Sequence, residues 1–175
     1  MKAFYKKQLK IRGSYNNLKR DGLWEWFHEN GQPKQRGNYK NGKRDDLWEW
    51  FHENGQPKQR GNYKNGKLDG LREWFDENGQ FWIRENYKNG KRNGLCEEYC
   101  ENGELITRGN YKNGKQHGLC EDFINGQIRD RGNYKNGKPD GPWEYFDSNG
   151  NLTEAKEWKD GVLQENAYRY SKHTP

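Results

Sequence analysis

LWEWFHENGQPKQRGNYKNGK, residues 23–43, decides the fold, because residues 47–67 repeat it without a change. Its tyrosine has counterparts along the chain at a spacing of 24 residues, shortened once to 23. A fixed period of about 20 to 50 residues is typical of stacked repeat proteins. Repetition explains most residues structurally, so specific function has to come from positions where the repeats differ. The series consists of Tyr15, Tyr39, Tyr63, Tyr87, Tyr111, Tyr134 and Trp158.

The composition indicates a core made of a few large rings. Hydrophobic residues are 29% of the 175 residues, against about 45–50% in ordinary domains. The 15% of aromatic residues compensates, since each ring can bury about 150–250 Å². Charged residues, at 33%, are also typical of disordered chains, but such chains are poor in aromatic residues. An ordered array is therefore expected.

The charges are mixed throughout the chain. The net charge of +6 comes from 32 basic and 26 acidic residues, a pattern typical of a solvated surface and not of a concentrated nucleic-acid patch. Residues 1–10 contain no apolar run of the kind found in signal peptides. No stretch of about 18 apolar residues predicts a membrane span. A cytoplasmic protein is expected.

Asn-Gly turns divide each repeat into two extended segments. In the second repeat, residues 35–40 and 47–51 flank Asn41-Gly42, and Asn54-Gly55 follows them. Asn-Gly between such segments favours a hairpin with a type I′ turn, because both central residues need positive φ. The sequence predicts an all-β fold, an elongated antiparallel β-meander of stacked 24-residue hairpin repeats with about 13 or 14 strands.

The predicted organisation has three parts. Residues 13–164 hold about six tandem repeats, in which stability should build up from neighbour to neighbour. Residues 1–12 form an N-terminal cap or edge strand. Residues 165–175 form a C-terminal cap, an edge strand followed by a loose tail.

A two-residue loop at Asn54-Gly55 would fix the register. It places Trp48 opposite Gly61, so that the indole can lie across the neighbouring glycine backbone. Trp50 and Tyr63 then share the aromatic face with Trp48, and the opposite face carries Leu47, Glu49, Phe51 and Arg60. A structural role is therefore assigned to the glycines Gly37 and Gly61 and to the tyrosines Tyr39, Tyr63, Tyr87, Tyr111 and Tyr134.

The same register predicts cross-strand ion pairs worth about 0.2–1 kcal/mol each. Their constant offset is 11 residues, and the pairs are Glu25–Arg36, Glu73–Arg84 and Glu97–Arg108. The offset fails at Glu121, because one residue is missing before Asn125-Gly126, and a tighter turn or a bulge is expected there. Asp46 stands where the other repeats have glycine, so a strained turn is expected at that position.

The repeated pattern resembles a known family. G-N-Y-K-N-G-K-x-D-G-L-W-E-x-F-x-E-N-G stands here as residues 61–79, 109–126 (one residue short) and 132–150. It resembles the MORN repeat in its bacterial variant form, and tandem chains of this kind are similar to the YwqK-family antitoxins. The resemblance covers about residues 13 to 165. It implies an elongated antiparallel sheet that binds proteins, often as the immunity or antitoxin partner of a secreted toxin, and carries over no catalytic motif.

Two sets of side chains are candidates for partner binding. The aromatic stripe of Trp24, Trp26, Trp48, Trp50 and Trp74, with Tyr39 and Tyr63, is either a platform for a protein or stacked bases, or the core of the fold. The core interpretation is favoured for most of these rings. In the fourth and fifth repeats, Trp-Glu-Trp becomes Cys96-Glu97-Glu98 and Cys120-Glu121-Asp122. Glu98 and Asp122, about 9–10 Å apart if two strands separate them, form an acidic notch for a basic group or reflect neutral drift.

Catalytic and metal-binding signals are weak. Cys96, Cys100 and Cys120 are too far apart in the predicted register for a disulfide and lack zinc spacing, so reduced structural thiols are expected. His28 and His52 are copies of one another, and nothing resembles a triad or a phosphate-binding loop. The chain is therefore not expected to be an enzyme, and no cofactor, metal or small-molecule substrate is expected.

The resulting prediction is a non-catalytic protein-binding protein, most concretely an antitoxin or immunity protein that neutralises a toxin by direct binding. The alternative is a scaffold at a protein or membrane surface, which the resemblance to eukaryotic MORN proteins also implies. Nucleic acid is disfavoured because acids are interleaved with the basic residues. Since the chain is basic overall, the toxin should offer an acidic contact surface or bind at the acidic repeats. The lysines available to anionic lipid are those of the turns, such as Lys40, Lys43, Lys64 and Lys67.

Overall fold

The computed structural model describes residues 1–5 and 8–164, and every regular element in them is a β-strand. The chain divides into two compact units, unit 1 at residues 1–91 and unit 2 from residue 92 onward. The strands of unit 1 are β1 (Lys2–Tyr5), β2 (Gln8–Asn16), β3 (Lys19–Phe27), β4 (Pro33–Lys40), β5 (Lys43–Phe51), β6 (Pro57–Lys64), β7 (Lys67–Phe75) and β8 (Phe81–Lys88). Those that follow are β9 (Lys91–Tyr99), β10 (Leu105–Lys112), β11 (Lys115–Ile124), β12 (Gln127–Lys135), β13 (Lys138–Phe146), β14 (Leu152–Lys159) and β15 (Val162–Leu163).

Within each unit the strands lie in sequence order and each pairs antiparallel with the next. The predicted all-β meander is confirmed. The predicted division into caps and repeats stays a prediction, and the C-terminal cap at residues 165–175 lies outside the described residues.

The predicted register is confirmed, but the turn that produces it is not the predicted one. Trp48 lies opposite Gly61, and Trp50 lies opposite Gln59. The turn after β5 has five residues instead of two, closed by a hydrogen bond from the His52 N–H to the Gln56 carbonyl at 2.9 Å. A β-bulge at Lys58 adds one residue to β6 and restores the register that a two-residue loop would have given.

The turns after β3, β7, β9 and β13 have the same five-residue form, whereas the Asn-Gly turns at the opposite edge of the strands follow expectation. At Asn41-Gly42 both residues have positive φ, 51° and 81°, as a type I′ turn requires. The Gly42 N–H donates to the Arg20 carbonyl at 2.8 Å, which ties the turn to the preceding hairpin. The shortened repeat has the expected tighter turn, since Ile124 pairs directly with Gln127.

Asp46 has a left-handed backbone, with φ of 60°, in the middle of β5 and not in a turn. It lies where β5 holds extra residues opposite Asn38. The prediction of a turn was therefore wrong, because two bulges in each repeat carry positions that spacing alone assigns to loops. The glycines at the equivalent positions also have positive φ: Gly22, Gly70, Gly94, Gly118 and Gly141.

Indoles laid over glycine form the core of unit 1. Trp24 and Trp48 are 0% exposed. A Cβ on Gly37 would lie 2.4 Å from Cδ2 of Trp48, so only glycine leaves room for that ring. Trp48 thus covers Gly37, the glycine of the preceding strand, and not Gly61. Its Nε1–H donates to the Asn38 carbonyl at 2.9 Å, which satisfies the one polar atom of the ring.

The opposite face carries a ladder of arginine, glutamate and phenylalanine. Its ion pairs correct the prediction, because most arginines bond the glutamate 13 residues later. The Nε–H of Arg36 donates to Glu49 at 2.6 Å, and that of Arg12 donates to Glu25. The pair Glu73–Arg84 has the predicted offset, at 3.2 Å. Later in the chain, the Nε–H of Arg108 donates to Glu121.

Candidate partner-binding surface

The partly exposed side chains of the aromatic face in unit 1 form one row across the strands. Successive cross-strand partners are Trp26, Gln35, Trp50, Gln59 and Trp74, which we call the aromatic row. Its three tryptophans are half-buried, whereas the neighbouring Trp24 and Trp48 are fully buried. Of the predicted stripe, Trp26, Trp50 and Trp74 therefore present surface to a partner, as do the half-buried Tyr39 and Tyr63, whereas Trp24 and Trp48 do not.

Arginine covers the deeper rings. The guanidinium of Arg44 lies 4.4 Å from the ring centre of Trp48 and 5.1 Å from that of Trp50, and its Nη1–H donates to the Tyr63 hydroxyl at 3.5 Å. Arg20 has the same position over Trp24, at 4.6 Å. Such stacking is worth about 0.5–2 kcal/mol. The buried rings Trp24 and Trp48 are thus already in contact with arginine side chains of the same chain.

One exposed residue per hairpin lies in a β-bulge, at a position that sequence reasoning missed. Trp82 is 45% exposed, and its ring lies 5.9 Å from that of Trp74. Arg129 is also exposed and bonds two acids of its own unit. After two identical lysines, the bulge residue differs in each of the later repeats. The bulge residues are Lys34, Lys58, Trp82, Ile106, Arg129 and Thr153.

In unit 2 the row equivalent to the aromatic row is acidic. Thr107 lies opposite Glu98 on one side and opposite Asp122 on the other, as the predicted notch requires. The sequence did not reveal Asp130 and Glu154, because the shortened repeat and its bulge shift their alignment. Successive cross-strand partners form what we call the acidic row, which consists of Glu98, Thr107, Asp122, Asp130, Tyr145 and Glu154.

Basic side chains, one at a bulge and one on a neighbouring strand position, neutralise part of the acidic row. Arg129 contacts Asp130 at 2.7 Å and Asp122 at 3.1 Å, and its hydrogen bond to Asp130 raises the pKa of the guanidinium further. Lys156 contacts Glu154 at 3.0 Å. No ion pair to Glu98 occurs in the described part of the chain. Glu98 is therefore the carboxylate of the row that is most available to a cation from outside.

The cysteines of unit 2 are free thiols: Cys96, Cys100 and Cys120. Burial, and next the charge of Asp122, raise the pKa of Cys120, so its thiol stays protonated and unreactive at neutral pH. Among the described residues, no three His, Cys, Asp or Glu side chains are placed to hold a metal ion. No described segment is a helix that could cross a membrane.

The turns at one edge of unit 1 form a lysine-rich groove. Adjacent turns contribute four lysines, together with Asn65, Asn89 and Asp69. Asp69 accepts a hydrogen bond from the Asn89 N–H at 3.0 Å, and this bond stabilises the turn. The groove can attract an anionic surface, such as lipid headgroups. The four lysines are Lys43, Lys64, Lys67 and Lys88.

Comparison with known proteins agrees with this architecture. A family model described as the MORN repeat variant matches residues 20–41, 47–65, 68–89, 92–113 and 139–165, and the MORN repeat model matches residues 108–121. The unmatched segment, residues 122–138, contains the shortened turn at Asn125-Gly126. No curated protein matches the chain, so the comparisons do not name an antitoxin relative.

Proposed function

The chain belongs to the MORN repeat variant family, a family of binding repeats, and we propose that it is an antitoxin or immunity protein that neutralises a protein toxin by direct binding. The acidic row of unit 2 is the proposed contact, and a basic surface of the toxin is its proposed target. The observation that carries the proposal is the replacement of tryptophan by Glu98 and Asp122, and of glutamine by Asp130, at equivalent positions of the row.

Electrostatics support a protein partner at this row. Glu98 is half-buried and has no intramolecular ion pair within the described residues, so a cation brought to it gains attraction without breaking an existing bond. Partly desolvated charges attract more strongly than fully solvated ones, about 4 kcal/mol at 4 Å against about 1 kcal/mol in water. Tyr145 and Thr107 are half-buried beside these acids, so the ring and the methyl group can add apolar contact.

Neutralisation is the direct test. The protein encoded beside this chain is expressed under a repressible promoter, and growth is measured with and without the chain. We expect the chain to restore growth, and Glu98→Lys to weaken protection. Glu101→Lys is the matched control, since Glu101 is an exposed acid in a turn of the same unit. A neighbour that is not toxic, or equal protection by both variants, would remove the proposal.

A second function is supported by the lysine groove of unit 1, whose four lysines suit an anionic membrane surface. Each lysine near such a surface contributes about 1 kcal/mol. Vesicles containing phosphatidylserine should bind the chain, and Lys64→Glu with Lys67→Glu should abolish that binding. Lys34→Glu with Lys58→Glu changes the charge equally at the bulges and should leave vesicle binding intact. Equal losses from the two double variants would contradict a role for the groove.

A further inference from the structure

Asn125-Gly126 is a turn unlike the others at its edge of the sheet. Ile124 pairs with Gln127, so the turn has two residues, and Asn125 and Gly126 have φ of 50° and 75°. The corresponding turn in the second repeat has five residues and is closed by the His52 N–H on the Gln56 carbonyl. The missing residue thus removes an internal hydrogen-bonded loop.

In every other Asn-Gly turn the glycine N–H is already bonded to a carbonyl, at 2.7–3.1 Å. Gly150 donates to the Asp147 carbonyl at 3.0 Å, inside its own turn. Gly90 donates to the Leu68 carbonyl at 2.7 Å, on the preceding hairpin. The bonded glycines are Gly31, Gly42, Gly55, Gly66, Gly79, Gly90, Gly103, Gly114, Gly137 and Gly150.

Gly126 differs. Its N–H has no acceptor among the described residues, and a Cβ built on it would meet no atom within 4 Å. Both turn residues are exposed, and an open groove lined by Asn125, Gln127, Asp147 and Ser148 lies beside them. Water therefore reaches both the amide side chain and the following peptide nitrogen.

We infer that Asn125 is a site of self-modification, at which the folded protein deamidates faster than at its other Asn-Gly turns. The Gly126 nitrogen loses its proton and attacks Cγ of Asn125. A new N–C bond closes a five-membered succinimide, and the side-chain nitrogen leaves as ammonia. Water then opens the ring: attack at Cγ gives aspartate, and attack at the backbone carbonyl carbon gives isoaspartate.

Hydrogen bonding of the glycine N–H sets the selectivity. The attacking nitrogen has to be free of its acceptor, and breaking a peptide hydrogen bond slows the reaction about three- to tenfold. All these turns share the same dipeptide, so the dipeptide cannot distinguish them. Isoaspartate adds one atom to the backbone of a turn with only two residues, and either product adds one negative charge to unit 2.

The test is mass-spectrometric peptide mapping of the full folded chain during incubation in mildly alkaline buffer. Asn149 is the matched control, because its turn is at the same edge and its glycine N–H is bonded. We expect conversion at Asn125 to exceed that at Asn149 about three- to tenfold in the folded chain. In concentrated urea, the two rates should become similar.

Two results would overturn the inference. Equal conversion of Asn125 and Asn149 in the folded chain would show that the free N–H confers no selectivity. A preference for Asn125 that persists in urea would show that the flanking sequence, and not the fold, sets the rate.

Discussion

At the scale of single residues, the fold depends on glycines that leave room for indoles. We predict that Gly37→Ala lowers the free energy of unfolding by about 1–3 kcal/mol, because its Cβ would lie 2.4 Å from the Trp48 ring. Gly109→Ala is the matched control, since the nearest atom to its Cβ is the Cys120 sulfur at 3.2 Å. Urea unfolding measures both changes. Equal losses would show that indole seating is not what the glycine provides.

Asp46 gives a second prediction at this scale. Its φ of 60° suits glycine, so Asp46→Gly should raise the free energy of unfolding by about 0.5–1 kcal/mol. Gly70→Asp is the reverse change at an equivalent position, with φ of 115°, and should destabilise. Thermal unfolding of both variants checks the signs. A loss of stability in Asp46→Gly would mean that the aspartate has a favourable contact that outweighs its backbone strain.

At the scale of elements, the strands and their register were predictable because both depend on local spacing. Trp48 is opposite Gly61 as predicted, even though the turn is longer and Lys58 is bulged. Sequence spacing could not predict which of two neighbouring strands supplies the hydrogen-bond partner of a side chain. Arg36 has a glutamate opposite it on each side, and the packed sheet, not the hairpin offset, selects Glu49. Part of the candidate site could be predicted from the sequence, because Glu98 and Asp122 stand where other repeats have tryptophan. Asp130 could not, because its place in the row depends on the shortened turn and on the bulge beside it.

Cross-strand ion pairs give the prediction for this scale. Glu73 is 2% exposed and accepts hydrogen bonds from Arg60 and Arg84, which lie on the strands at its two sides. Glu73→Gln should lower the free energy of unfolding by about 1–3 kcal/mol, since it removes the buried negative charge that accepts from both arginines. Glu49→Gln, with a more exposed carboxylate, should cost less than about 1 kcal/mol. Chemical denaturation distinguishes them, and equal costs would contradict the role of burial.

At the scale of the whole molecule, the two units share one repeat framework but carry different surfaces. Unit 1 presents tryptophan, glutamine and bulged lysines, and unit 2 presents carboxylates of which Arg129 neutralises two. The stacking of repeats constrains the framework residues. The side chains of the exposed row and of the bulges are under less constraint, and they differ between the units. The same framework therefore carries an aromatic surface in unit 1 and an acidic one in unit 2.

The most direct test of this account is the dissociation constant of the proposed partner, the protein encoded beside this chain, for three chains: wild type, Glu98→Lys and Arg129→Gln. If the negative charge of the acidic row holds the partner, Glu98→Lys should weaken binding about tenfold. Arg129→Gln frees Asp122 and Asp130 and should tighten binding severalfold. Changes of opposite sign are the predicted result. Unchanged affinity in both variants, or weaker binding by Arg129→Gln, would contradict the account.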